Sequence, residues 1–433
     1  MNPAFASEVV ECLRVSGSPR IDSGRLAISR HQWKQALEWL DHSGIALLFW
    51  KRLKDLGEVS AIPSEIGECL ERNLADHRLR LAEMVAEFDS INQGFEGAGL
   101  EYAAMKGLAL PSDYCPDILL RTTYDYDYLL PRESMQTAEI VLEAAGYIRK
   151  DDPEEHPIVY FHKDRPVRVP LCRDDLYSPA FPRTVELHYL FWDADPVRIP
   201  LKLPFDPLNE LELRHFPAYP DLQRPSRPEK PVCFYALSEV NDLIFELLHA
   251  FRHILHGWCR LRSLLDIACL LDRRAADDVF WHDFLERLKP CPALADIAGV
   301  VFLLSANLFG VEVPDFIASR TSSCLRRPLV SWVNRYGKSS ALQNFSDNKF
   351  SLFLHREFIG DDATWRAVER SRLFPTHRPN QAVHSAGGSL PSRVSAKWRQ
   401  AVYVSRRLKH HVTATARYKL ESRRWNRLQS GGD

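Results

Sequence analysis

The stretch that decides the fold and chemistry of this chain is Tyr124-Asp125-Tyr126-Asp127-Tyr128-Leu129-Leu130. Its aromatic and apolar residues, closed by Pro131, predict a short β-strand. Because side chains alternate in direction along a strand, Asp125 and Asp127 project from the same face. Two carboxylates placed in this way bind a hard divalent cation, which orients and neutralises phosphates. An Asp-x-Asp pattern alone is weak evidence, so the surrounding sequence has to support it.

The sequence before this strand predicts a second strand and a turn. Residues 100–105 form a short apolar run that ends at Lys106-Gly107, as in a strand that enters a tight turn. Residues 108–114 are long enough for a short helix. Arg121 follows, four residues before Asp125.

The sequence after it predicts a helix and three more strands. The helix covers residues 133–145, with Ile140, Val141 and Ala144 facing inward, and Gly146 ends it. The strands cover residues 147–149, 159–162 and 183–191. The middle third of the chain is therefore expected to be a small α/β unit.

Both flanks follow a helical period. Apolar residues recur at three- and four-residue steps at Trp33, Ala36, Leu37, Leu40, Leu79, Leu81, Met84, Val85, Phe88 and Ile91. Residues 239–274, 279–309 and about 320–370 show the same period, and Pro63-Ser64-Glu65 has the composition of a helix start. The expected fold class is α+β, a small mixed-sheet domain embedded between N-terminal and C-terminal helical regions. The predicted division is 1–97 N-terminal helical region, 98–235 α/β domain, 236–374 helical domain, 375–390 linker and 391–433 basic C-terminal helix.

Glu186 is the candidate for a third carboxylate. If the strand that contains it lies beside the strand of Asp125 and Asp127, the three form one cluster. Carboxylates crowded together repel each other and cost stability unless a cation compensates them. Mg²⁺ binds through a few carboxylates and substrate phosphates, and Mn²⁺ is a possible substitute. The alternative is that the three are unrelated surface acids.

Lys106, Gly107 and Arg121 are the candidates for binding a triphosphate. Arg offers a planar fork of donors and Lys a point charge, and Gly lets the backbone approach phosphates without a Cβ in the way. Each residue also has a plain structural explanation. Arg121 could pair with Asp117 or Asp125 at the surface, and Gly107 could simply form a turn.

These motifs resemble a known family. Met105-Lys106-Gly107-Leu108-Ala109-Leu110, then Arg121, then residues 125–130 are similar to the Lys-Gly-x-Ala-Leu … Arg … Asp-x-Asp-Leu-Leu signature of a large group of uncharacterised bacterial nucleotidyltransferase-like proteins. That group belongs to the DNA polymerase β-type nucleotidyltransferase superfamily. Val185-Glu186-Leu187-His188 resembles its third-carboxylate strand, and residues 260–267 resemble the helical segment that follows. The resemblance covers roughly residues 40 to 275.

The resemblance implies a nucleotidyltransferase, an enzyme that uses Mg²⁺ and an NTP such as ATP, with Asp125, Asp127 and Glu186 as metal-binding and catalytic residues. The sequence departs from the wider superfamily at one position. Leu108 stands where a serine or glycine is usual in the turn before the acidic strand. The missing hydroxyl puts the standard triphosphate contact in doubt, and Lys106 is the candidate to replace it.

Three further residues are candidates for contacting the substrate: His188, His249 and Asp266. His188 shares a strand face with Glu186, and Asp266 is either an active-site wall residue or a helix-surface acid. His249, His253 and His256 fall at helical spacing, and residues 246–249 resemble half of a di-iron motif. The second half and its further Glu ligands are not found in the sequence, so a polar helix edge or a substrate-facing His249 is favoured.

The bulk composition excludes several classes of protein. The chain has 433 residues, a formal net charge of −1 and nine scattered cysteines without a Cys-x-x-Cys pair, so neither a zinc site nor a disulfide framework is indicated. No signal peptide is found, and the apolar run at residues 297–308 is interrupted by Ser305 and Asn307. We therefore expect a soluble cytoplasmic protein with no membrane contact.

Residues 391–433 carry eleven Lys or Arg against two acids, on a body that is acidic overall. Such a tail either folds back onto the body or binds an anionic partner. Three functions remain open. The first is a nucleotidyltransferase acting on an unidentified small molecule, peptide or RNA; the second is an inactive nucleotide-binding scaffold. The third is an RNA-binding protein that uses the basic helix and its aromatic residues.

Overall fold

The structure, a computed structural model, describes residues 2–17, 21–115, 117–150, 156–165, 176–195, 197–216, 232–343, 348–374 and 390–430. The predicted linker lies outside these residues except for its last position, Leu390, where a helix begins.

One mixed sheet runs through the middle of the chain. Its strands are β1 (Ala103–Met105), β2 (Asp125–Leu129), β3 (Tyr147–Arg149), β4 (Ile158–His162), β5 (Thr184–His188), β6 (Leu211–His215) and β7 (Cys233–Leu237). Their order across the sheet is β3-β4-β5-β2-β1-β7-β6. β2 is parallel to β5 and β1 to β7, and the other pairs are antiparallel. This arrangement confirms the α+β fold class with a mixed sheet; β6 and β7 were missing from the sequence-based prediction.

Helices precede and follow the sheet. They are α1 (Pro3–Cys12), α2 (Ser23–Leu26), α3 (Arg30–Ser43), α4 (Ala46–Asp55), α5 (Ser64–Gly97), α6 (Met135–Ala144), α7 (Glu239–His256), α8 (Leu261–Arg273), α9 (Asp278–Leu288), α10 (Pro292–Phe309), α11 (Asp315–Ala318), α12 (Arg327–Trp332), α13 (Lys338–Leu342), α14 (Ser351–Arg356), α15 (Asp362–Leu373) and α16 (Leu390–Ser430). The helix start expected at Pro63-Ser64-Glu65 is confirmed, since α5 begins there.

The two faces of the sheet differ in chemistry. One face is apolar and packs against α5 and α6, with Phe88 of α5 stacked on Tyr126 and Tyr128 of β2 at 6.2 and 6.1 Å. Because β2 alternates, Asp125 and Asp127 lie on the opposite face. There the apolar residues of β1 and β2 join the core of α7 and α8, which also includes the N-terminal helices. The acidic face is thus covered by helices from the C-terminal half of the chain.

Two local predictions were wrong. Residues 108–114 form no α-helix; a single 3₁₀ turn, Gly107–Ala109, follows β1. In α6 the buried residues are Ala138 and Leu142, and Val141 is partly buried against the same core as expected; Ile140 is 59% exposed and Ala144 is exposed, because the helix packs through the neighbouring stripe. Leu79 is 55% exposed, on the outer side of α5.

Helix α10 is long and apolar enough to cross a bilayer by length and composition, but 61% of it is buried inside the protein. A core helix meets the same criteria, and α10 packs against α7 and α8 in the main hydrophobic core. This is weak evidence for a membrane span.

Candidate functional site

Strand pairing brings Asp127 and Glu186 side by side. In the parallel register of β2 and β5, Asp127 lies opposite Glu186 and Asp125 lies opposite Thr184. Residues opposite each other on paired strands project from the same face of the sheet. His188, two residues beyond Glu186, shares that face. The sequence analysis required the strand of Glu186 to lie beside the strand of Asp125 and Asp127. The structure meets this condition.

Lys106 enters this cluster from the end of β1. Met105 pairs with Asp127, and the backbone then turns with positive φ at both Lys106 (50°) and Gly107 (44°). Positive φ is uncommon for a residue with a side chain and is tolerated where the surroundings enforce it. A Cβ on Gly107 would lie 2.9 Å from Cγ2 of Thr123, so the turn itself requires glycine. The turn directs Nζ of Lys106 to Asp127 Oδ1, to which it donates a hydrogen bond of 2.8 Å.

Asp127, Glu186 and His188 form a group that can hold a metal ion. One ligand atom from each lies within 4.8 Å of the other two. His188 Nε2 is 3.0 Å from Asp127 Oδ1 and 4.0 Å from Glu186 Oε2. Asp125 lies outside this group and faces the adjoining cavity. Carboxylate oxygens suit Mg²⁺, and a histidine ligand suits Mn²⁺ and other transition metals better.

The charges in this group are unevenly compensated. Burial opposes ionisation of Asp127, but Lys106 and His188 outweigh it and hold the pKa of Asp127 well below its usual range. Burial and the charge of Asp127 raise the pKa of Glu186 to about 8, and the same two causes raise the pKa of Asp125. The positive charges nearby are therefore too few to stabilise the ionised forms of Asp125, Asp127 and Glu186 together. A divalent cation fits this deficit, because it would favour the ionised form of each carboxylate.

The buried carboxylate of Asp266 positions Arg121, which lines the cavity. The Asp266 side chain is fully buried and accepts a hydrogen bond of 3.1 Å from Arg121 Nε and one of 2.5 Å from Arg262 Nε. Arg121 Nη1 also donates to Thr123 Oγ1 at 3.2 Å. These contacts on both sides of Asp266 fix the orientation of Arg121 at the cavity wall.

A cavity of about 560 Å³ opens in front of the acidic face. Six of the nine residues predicted for the site line it: Lys106, Gly107, Arg121, Asp125, Glu186 and His249. The other three, Asp127, His188 and Asp266, do not line it, but each contacts a residue that does. Residues of α7 and of the start of α8 also line it, and Tyr124, Phe181 and Trp258 are its aromatic residues. The cavity is large enough for a small ligand such as a nucleotide.

Glu246 and Arg260 belong to the residues of this lining to which the sequence analysis assigned no role. Glu246 lies three residues before His249 on α7 and is 2% exposed; its Oε1 atom has no hydrogen-bond partner among the described residues. Burial raises the pKa of Glu246 to about 7. The sequence did contain a signal, since the Glu246–His249 spacing was noted as part of a di-iron motif. The described residues contain no metal-binding group at Glu246, His249 and His253.

His249 and His253 form a hydrogen-bonded pair, with their Nε2 atoms 2.8 Å apart. One ring must donate and the other accept, so at least one of them is neutral at the shared nitrogen. Burial lowers the pKa of both rings well below the usual value, with the charges of Lys106 and Arg260 as further causes. The two histidine rings are therefore neutral at neutral pH, in contrast to the carboxylates on the sheet.

Arg260 begins the next helix. It is the N-cap of α8, and its guanidinium lies 5.8 Å from the ring centre of Tyr124 and 5.6 Å from that of Trp258. The sequence signal for Arg260 was its place at the start of the 260–267 segment.

Comparison with known proteins gave one match. Residues 29–310, which extend from the start of α3 through α10, match the model of a family described as "Uncharacterised nucleotidyltransferase". The matched range contains the whole sheet, α7 and α8. Searches of curated proteins and of solved structures found no match.

Proposed function

Since the chain belongs to this family of uncharacterised nucleotidyltransferases, we propose that it transfers a nucleoside monophosphate from an NTP to an acceptor with the help of a divalent cation. Mg²⁺ is the first candidate and Mn²⁺ the second. One observation supports the proposal most directly. Asp127 pairs with Glu186, and Glu186 lines the same cavity as Asp125 and Arg121. We place the family within the DNA polymerase β-type superfamily on its Lys-Gly and Asp-x-Asp motifs.

The residues divide into two roles. Asp127, Glu186 and His188, with Asp125 beside them, would hold the cation, which supplies charge neutralisation and orientation of the phosphates. Arg121, held by Asp266, and the Lys106-Gly107 turn face the triphosphate. Lys106 also neutralises Asp127. The position of the Lys106 ammonium group therefore depends on whether a cation is bound to Asp127, Glu186 and His188.

The chemical step is an in-line displacement. The acceptor hydroxyl oxygen forms a bond to the α-phosphorus, the bond from the α-phosphorus to the bridging oxygen breaks, and pyrophosphate leaves with the electron pair. A carboxylate takes the hydroxyl proton. Asp125 and Glu186 are the candidates, because both carboxylates line the cavity in which the acceptor hydroxyl would lie.

Isothermal titration calorimetry with each NTP, with and without Mg²⁺ or Mn²⁺, tests the proposal. We expect cation-dependent binding by the wild type and at least about tenfold weaker binding after Asp125→Ala with Asp127→Ala. Glu133→Ala removes an exposed acid from the same unit and serves as the control. No binding of any NTP by the wild type, or equal binding by the double variant, would contradict the proposal.

An inactive nucleotide-binding scaffold is the second candidate, and the position of Leu108 favours it. Leu108 is 5% exposed and belongs to the hydrophobic core on the far side of the sheet, so the turn contributes no hydroxyl to a phosphate. Release of pyrophosphate from labelled NTP in the presence of a panel of small-molecule, peptide and RNA acceptors distinguishes the two. The acceptor, a bacterial origin and a cytoplasmic location stay predictions.

A further inference from the structure

The basic side chains of the cavity wall are mostly committed to acidic partners. Lys106 is bonded to Asp127, and Arg121 and Arg262 are both bonded to Asp266. An arginine whose charge is already paired by a buried carboxylate is a weaker attractor for an incoming anion. These three residues therefore contribute less to phosphate binding than their number suggests.

Arg260 is different. Among the described residues its side chain makes no ion pair and no hydrogen bond, and its guanidinium lies over the faces of Tyr124 and Trp258. Aromatic faces hold a guanidinium through its plane and leave its N–H donors at the edge free. Arg260 thus presents to the cavity a positive charge that no ion pair occupies; Asp125 and Glu186 line the same cavity, and the charge of Arg260 acts against the rise in the pKa of both.

The helix that begins at Arg260 adds to this charge. α8 has thirteen residues, and no side chain caps its first turn. Arg262 and Ser263 of that turn line the cavity; Arg262 is 6% exposed and its Nη1 atom has no hydrogen-bond partner among the described residues. Free amide groups and the helix dipole favour an anion at such an end. Nη1 of Arg262, which the ion pair with Asp266 leaves without a hydrogen-bond partner among the described residues, is a second donor beside this end of the helix.

We propose that Arg260 and the first turn of α8 bind the β- and γ-phosphates of the NTP. This inference rests on the proposed function and adds a place for the leaving group. As the bond between the α-phosphorus and the bridging oxygen breaks, negative charge accumulates on the departing pyrophosphate. Arg260 neutralises that charge from the α8 side. The α-phosphate then lies next to Asp125 and Glu186.

Calorimetry with three ligands tests the assignment: inorganic pyrophosphate, the NTP that binds best, and the matching NMP, all with Mg²⁺. For Arg260→Gln we expect roughly 10-fold to 100-fold weaker binding of pyrophosphate and NTP, the size of a lost charge-assisted contact. Binding of the NMP should be unchanged, because it lacks the distal phosphates. Arg260→Lys, which keeps the charge without the planar fork, should be intermediate.

Arg132→Gln is the matched control. Arg132 also lies over an aromatic ring, that of Tyr189 at 5.2 Å, but it does not line the cavity. Both variants should keep the melting temperature of the wild type, since neither arginine makes an ion pair among the described residues. If the wild type binds NTP and Arg260→Gln binds pyrophosphate equally well, the assignment of Arg260 is wrong. If the wild type binds no NTP, the proposed function itself fails.

Discussion

Glu246 is a buried carboxylate in the cavity wall that has no ion pair among the described residues. An ionised carboxylate in such a place is unfavourable, and proteins retain one mainly where it has a function. Burial raises the pKa of Glu246 from its ordinary value of 4.5 to about 7, so the folded protein binds this proton more tightly than the unfolded chain does. A neutral Glu246 can donate a hydrogen bond to a ligand and an ionised one can accept a proton.

The raised pKa predicts a pH-dependent stability. Between about pH 4.5 and pH 7 the folded state keeps the proton and the unfolded state loses it, so this group lowers the free energy of unfolding as pH rises. Glu246→Gln, which is neutral and of the same size, should match the wild type near pH 5. At pH 8 it should be more stable, by on the order of 2 kcal/mol. Urea unfolding at pH 5, 6, 7 and 8 measures the difference.

Glu143→Gln, at an exposed position of α6, is the control and should show no such trend. Equal stability of Glu246→Gln and the wild type at every pH would mean that Glu246 has a solvated or paired carboxylate in the folded protein.

At the scale of elements, the site depends on contacts between β2 and α8 that span more than a hundred residues of sequence. Asp266 of α8 connects them, because it accepts hydrogen bonds from Arg121, just before β2, and from Arg262, one turn earlier in its own helix. The three charges are buried together, with side-chain exposures of 0%, 11% and 7% for Asp266, Arg121 and Arg262. Removing the acid leaves two buried guanidinium groups without their counter-charge.

We therefore expect Asp266→Asn to lower the free energy of unfolding by about 3–5 kcal/mol, as is typical when one partner of a buried ion pair is removed. Asp272→Asn, an exposed acid in the same helix, should change it by less than about 0.5 kcal/mol. Chemical denaturation of the two variants provides the comparison. A loss below about 1 kcal/mol for Asp266→Asn would show that the two arginines find other partners.

At the scale of the whole molecule, the basic C-terminal helix folds back onto the body along one face. Trp425 packs on Tyr336 and Phe353, with ring centres 5.7 and 5.2 Å away, and Glu421 accepts hydrogen bonds from Arg335 and Tyr336 at 2.7 and 2.8 Å. Helix α16 is thus docked through its few apolar and acidic residues. Much of its basic surface remains exposed. This surface is available to an anionic partner such as RNA.

The RNA hypothesis predicts an effect of the exposed charges alone. Replacing Arg406, Lys409 and Arg423 together by Gln should leave the melting temperature unchanged, because all three are exposed. Binding of single-stranded RNA should weaken and its salt dependence should decrease, since each phosphate contact contributes to the slope. Filter binding at several salt concentrations measures both. Unchanged RNA affinity, or none in the wild type, would dismiss this partner.

The sequence alone determined the local parts of this protein. Period-two alternation placed Asp125 and Asp127 on one strand face, and the helical period identified both flanks. The Lys-Gly and Asp-x-Asp motifs were sufficient to indicate the nucleotidyltransferase family. These features depend on neighbours in the chain, so local patterns encode them. Strands β6 and β7 were not predicted, because short runs such as residues 211–215 form strands only when they pair with a neighbouring strand.

The tertiary structure decided which residues share the site and what charge each one carries there. Glu186 joins Asp127 only because β5 pairs with β2, across a separation of some sixty residues. Lys106 and Arg121 are held by Asp127 and Asp266, whereas Arg260 faces the cavity without an ion pair among the described residues. Periodicity cannot supply this information, because ion pairing and burial depend on the three-dimensional distances between side chains that are far apart in the chain.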